Sequence, residues 1–108
     1  MATRNDVAKL AFRKIGVVAE DEAMTADQFA TADSLIDSIY DELRGIGSPY
    51  WTPDDVAADA FNAFASLLAV DLAPMYGRPA PTSRGYAKLQ IMSAIGPDDR
   101  TDPVTEYY

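Results

Sequence analysis

The chain has 108 residues, 48% of them apolar, with neither cysteine nor histidine and a formal charge of -8 from 17 acids and 9 bases. That length fits one domain burying about two-thirds of its unfolded surface, a thin core that leaves apolar surface for partners. Without Cys or His, disulfides and the usual zinc, haem, iron–sulfur and thiol chemistries lose their ligands. Met1 leads into Ala2-Thr3-Arg4-Asn5-Asp6 with no apolar stretch behind it, so neither a signal peptide nor, anywhere along the chain, a membrane span is expected.

Four helical patterns are predicted in chain order, and no strand pair with a hairpin signal. The first runs from Arg4 to Ile15, with Thr3 as its cap and Asp6 complementing the dipole. Val7, Leu10, Ala11 and Ile15 share a face, and Gly16 is placed to turn left-handed so that Val17 folds back. After the acidic connector from Val18 to Met24, Thr25 with Gln28 reads as a capping box for a helix from Ala26 to Arg44. Its seam is Phe29, Ala32, Ile36, Ile39, Leu43 and Ile46, spaced alternately by three and four.

Thr52-Pro53-Asp54-Asp55 carries every mark of a third helix start: a cap, a proline at the first position and two acids. The pattern predicts a central helix from there to Leu72, broken at Pro74, which lacks a donor and clashes one turn back. A fourth helix is expected from Ser83 to Ala94, with Tyr86, Leu89, Ile91, Met92 and Ile95 as its apolar positions and Gly96-Pro97 as its stop. The fold class is therefore all-α: a four-helix domain over 1–96 and an extended C-terminal tail over 97–108.

The search for chemistry excludes more than it finds. Glu20-Asp21-Glu22 and Asp98 to Asp102 lack the alternating ligands and central glycine of a calcium loop. No glycine-rich run precedes a Lys-Ser/Thr pair, and no serine has a histidine base. Asp71, inside Leu67-Leu68-Ala69-Val70-Asp71-Leu72, is the one carboxylate in an apolar setting, and it is expected to face water or to pair with Lys88 or Arg84. Catalytic, cofactor-binding and metal residues are all read as none, and the chain as no enzyme.

Charge and aromatic placement point to binding instead. Arg4, Lys9, Arg13 and Lys14 make the first helix basic, while ten acids between Glu20 and Asp55 face only Arg44. The pattern reads either as solvated faces or as complementarity between copies, with the basic end meeting Asp33, Asp37 and Asp41. Tyr50 and Trp51 sit in a connector, either as a binding contact or as a staple on the third helix. Tyr107 and Tyr108 lie beyond any helix and are expected to dock in a partner's groove.

The order of these signals resembles a known family. Val7-Ala8-Lys9-Leu10-Ala11-Phe12-Arg13-Lys14-Ile15-Gly16-Val17 is similar to an opening "A-L-R-K-L-G-V". A capped acidic helix follows, Leu35-Ile36-Asp37-Ser38-Ile39-Tyr40-Asp41-Glu42-Leu43, and then Leu67 to Gly77, similar to "L-A-x-x-I-A-P-x-Y". Over residues 4 to about 95 the chain resembles the head-to-tail adaptor (connector) proteins of tailed bacteriophages, of the tail accessory factor or packaged-DNA stabilisation type. Many members carry a longer, basic extension after the fourth helix.

The resemblance implies a structural virion protein in the neck, assembled in the host cytoplasm as a homo-oligomeric ring, commonly a dodecamer, beneath the portal. Its implied partners are copies of itself, the portal protein, a downstream tail or neck protein, and double-stranded DNA crossing an acidic channel without sequence-specific contact; no membrane is involved. The segment from Gly96 to Tyr108 would dock on the portal or an adjacent subunit. The alternative reading is a small helical DNA-binding or regulatory module, which would need a basic recognition helix.

Overall fold

A computed structural model describes residues 2–19, 21–47 and 49–93. Four helices, α1 (Arg4–Lys14), α2 (Ala26–Arg44), α3 (Ala58–Leu72) and α4 (Arg84–Met92), make an all-α fold. Among the described residues the only β pairing is in isolated bridges. The expected tail over 97–108 lies outside the described residues, as do Ala94 and Ile95.

Local rules set α1 and α2. Thr3 and Thr25 each accept from the backbone N–H three residues on, while Asp6 and Gln28 accept the cap's own N–H, so both helices start on a complete capping box. At the end of α1, Gly16 has φ 75°, and Val17 donates to the Phe12 carbonyl at 3.0 Å while Gly16 donates to that of Arg13 at 3.1 Å. This is the doubly bonded end that a left-handed glycine permits. The α2 seam is buried at Ala32, Ile36, Ile39 and Leu43, with Phe29 and Ile46 half-covered at its ends.

The start of α3 differs from the expectation. Thr52 to Asp55 forms a turn, in which the Asp55 N–H donates to the Thr52 carbonyl at 3.1 Å, and not a helix cap. Val56 then exchanges both backbone hydrogen bonds with Ala2, at 2.8 and 3.2 Å. Pairing with the chain's opening residues holds Val56 extended, so the helix begins only after Ala57, without a side-chain cap. Proline at the second position of a turn is as favourable as proline at the first position of a helix.

From there α3 is the central element, touching α1, α2 and α4. Ala60, Phe64, Ala65, Leu67, Leu68, Ala69 and Leu72 are buried, and the small alanines let neighbouring helices approach. Each buried Leu or Phe contributes about 1.5–3 kcal/mol relative to exposure. At Pro74 the α-helical ladder gives way to one 3₁₀ turn, Ala73–Tyr76, closed by Gly77 at φ 65°. Tyr76 thereby reaches Phe12 of α1 edge-on, with ring centroids 5.2 Å apart.

The fourth helix is capped by Ser83, whose hydroxyl accepts from the Tyr86 N–H at 3.2 Å. Its apolar positions are not all inward. Ala87 and Ile91 are buried, whereas Tyr86, Leu89 and Met92 point to the surface.

Candidate functional site

Two ion networks tie the helices together, and the first uses residues expected to join copies. Arg4, at the first position of α1, donates through Nε to Asp54 at 2.6 Å and through Nη1 to Asp33 at 2.9 Å. The same Nη1 is 2.8 Å from Asp37. The hydrogen bond to Asp54, followed by those to Asp37 and Asp33, holds this guanidinium protonated well above its ordinary range, against partial desolvation. The complementarity predicted between copies for Arg4, Asp33 and Asp37 is thus met inside one subunit, pinning α1 to α2 and to the turn before α3.

The second network was visible in part. Asp71 pairs with Arg84, one of its two expected partners, through Nε at 2.8 Å and Nη2 at 3.2 Å. The same guanidinium grips Glu42 with Nη1 at 3.0 Å and Nη2 at 2.8 Å, and Lys88 adds a third contact to Glu42 at 2.9 Å. Two fork-on-carboxylate contacts tie α4 to both α2 and α3. Their effect on Arg84, led by Glu42 and then Asp71, is to raise its proton affinity. Glu42 had no partner assigned, because its cation lies 42 residues away in the chain.

Hydrogen bonds from Arg84 and then Lys88 hold the Glu42 carboxyl at about 2, against an ordinary 4.5. Since the folded value lies below the unfolded one, the Glu42 contribution is complete above pH 4.5 and is lost as pH falls through 2. Glu42→Gln should lower stability at pH 7 and flatten its decline between pH 4.5 and 2. Urea unfolding across that range checks this; parallel wild-type and variant curves would contradict it.

The connector aromatics part company. Trp51 is only 3% exposed, with ring centroids 5.3 Å from Phe64 and 5.7 Å from Tyr40, whose hydroxyl donates to the Trp51 carbonyl at 2.9 Å. This corrects its candidacy as an interface residue: it belongs to the core. Tyr50 is 65% exposed, and its hydroxyl donates to Asp59. That bond, ahead of a small desolvation, raises the phenol's proton affinity. Tyr50 stays a surface candidate.

Of the remaining candidates, Lys9, Arg13 and Lys14 are half-buried along α1, and Asp41 is exposed on α2. Lys9 and Arg13 line an open groove of about 540 Å³ whose other walls are Ala2, Asp6, Leu10, Ala58 and Phe61. Tyr107 and Tyr108 lie outside the described residues.

The surface feature the sequence reading missed is an apolar row on α4. Tyr86, Leu89 and Met92, spaced by three, are 56%, 66% and 41% exposed; Met75, in the 3₁₀ turn after α3, is separately 58% exposed. A three-residue spacing keeps side chains on one side of a helix. The missed signal was Ala87, which together with Ile91, already among the expected apolar positions, is the buried part of α4.

Among the described residues no group of three or more acidic side chains is arranged to hold a metal ion, and no helix is long and apolar enough to cross a membrane. Comparison with protein-family models, curated proteins and solved structures finds no match.

Proposed function

We propose that the chain is a structural adaptor that associates with copies of itself into a ring joining a phage head to its tail, beneath the portal, and extending the DNA channel. The observation that carries the self-association is the apolar row Tyr86, Leu89 and Met92, large side chains exposed along α4. The resemblance of α1, α2 and the Leu67–Gly77 stretch to phage connectors supplies the kind of assembly. In this reading the two ion networks make each subunit rigid, and α4 presents the contact to its neighbour.

The DNA-binding alternative draws less support, because Arg4, Arg84 and Lys88 are engaged by carboxylates of the same chain, leaving a small basic footprint for phosphate. An antibody against the chain, applied to virions of the phage encoding it, should label the head–tail junction in electron micrographs. Virions that assemble without the chain, or that carry it elsewhere, would overturn the reading.

A further inference from the structure

The subunit carries two unlike surfaces that complement each other. One is the row on α4, where Tyr86, Leu89 and Met92 stand out from one side of a helix. The other is the open groove between α1 and α3, a recess with Leu10, Phe61 and Ala58 in its walls beside Lys9 and Arg13. A convex apolar row suits a concave apolar recess.

Their charges are opposite as well. Among the described residues Lys9 pairs with no carboxylate. The groove's own acid, Asp6, accepts the Thr3 backbone N–H at 3.0 Å. On the other surface, Arg84 and Lys88 bind α4 to Glu42 of α2. The residue before Glu42 is Asp41, which is exposed and pairs with no cation among the described residues. The row thus has an acid beside its attachment to α2, and the groove has a base.

Symmetry decides how such copies join. A patch that meets itself closes a two-fold dimer, whereas a ring of more copies needs two different patches on each subunit. The row and the groove share no residue. The groove opens at the first turn of α3, at Ala58 and Phe61, and Arg84 holds α4 at Asp71 near its end. Ala58 and Asp71 are about 20 Å apart along the helix axis at 1.5 Å per residue.

Resting on the self-association proposed above, we infer that the α4 row of one copy seats in the α1–α3 groove of the next, with Leu89 on Leu10 and Phe61 and Asp41 toward Lys9. Each subunit then gives its row to one neighbour and its groove to the other.

Mixing two blocked variants tests this by sedimentation equilibrium. Leu89→Asp spoils the row. Ala58→Glu fills the groove from an exposed position, where an acid also favours the start of a helix. Each alone should be a monomer of wild-type helicity. Mixed in equal amounts they should form a one-to-one dimer and nothing larger, because one intact row and one intact groove remain between them. Lys9→Glu and Asp41→Lys, both at the surface, should each weaken wild-type assembly roughly fivefold, and the two together should restore it. A wild type that associates while the mixture stays monomeric, or an Ala58→Glu chain that associates as wild type, would overturn the inference and leave the self-association standing, with the row paired to itself. A wild type that is monomeric at every concentration would overturn both.

Discussion

Replacing Trp51 with Ala is expected to destabilise the protein by about 3–5 kcal/mol, the usual range for removing a large buried aromatic. Small domains have only about 5–15 kcal/mol in total, so a large share of the molecules should unfold on mild warming. The reasoning rests on position. Trp51 fills the space between Tyr40 of α2 and Phe64 of α3, and those contacts join the connector to both helices. Truncation leaves a cavity and removes the packing that orients the Tyr40 hydroxyl toward the Trp51 carbonyl. Trp51→Phe should cost less, since the ring contacts persist in part.

Far-UV circular dichroism in urea measures both variants. In the wild type, emission from Trp51, the sole tryptophan, should shift to the red in the same transition. A Trp51→Ala protein that melts like wild type yet associates poorly would return the residue to the surface role its neighbour Tyr50 keeps.

The second large effect is expected at Arg84. Arg84→Met should cost about 1–3 kcal/mol, the scale of lost hydrogen bonds to charged groups. Glu42 and Asp71, 32% and 21% exposed, would keep their charges with little compensation beyond Lys88. The loss should be local as well as global. Since α4 buries only Ala87 and Ile91, its amides should exchange with solvent faster than those of α3. Arg84→Lys should recover only part of the stability, because an ammonium cannot fork onto two carboxylates. Hydrogen exchange resolved by helix checks this, and unchanged protection across α4 would contradict it.

What was legible in the sequence follows the range of the interactions concerned. The capping boxes at Thr3 and Thr25 and the Gly16 turn are decided within a few residues, so α1 and α2 appear almost as read. The pairing of Asp71 with Arg84 was legible because only the Pro-rich link separates them. The start of α3 was not, since Thr52 to Asp55 suits a turn as well as a helix and the decision falls to Ala2, far away in sequence. Arg4 looked like an intersubunit charge for the same reason: its partners lie 29 or more residues on. The outward face of α4 was hidden because Tyr86, Leu89 and Met92 have the composition of a core stripe. Only the packed arrangement shows that Ala87 and Ile91 take that place.

Self-assembly through the row on α4 is the proposal on which the adaptor reading depends. Sedimentation equilibrium of the full-length protein, beside its Leu89→Asp variant, tests it most directly. The wild type should show a concentration-dependent mass rising toward a closed ring. The variant, altered at a side chain that is 66% exposed, should stay monomeric with its fold intact. A wild type that remains a monomer at every concentration, or a variant that associates as strongly as wild type, would contradict the account.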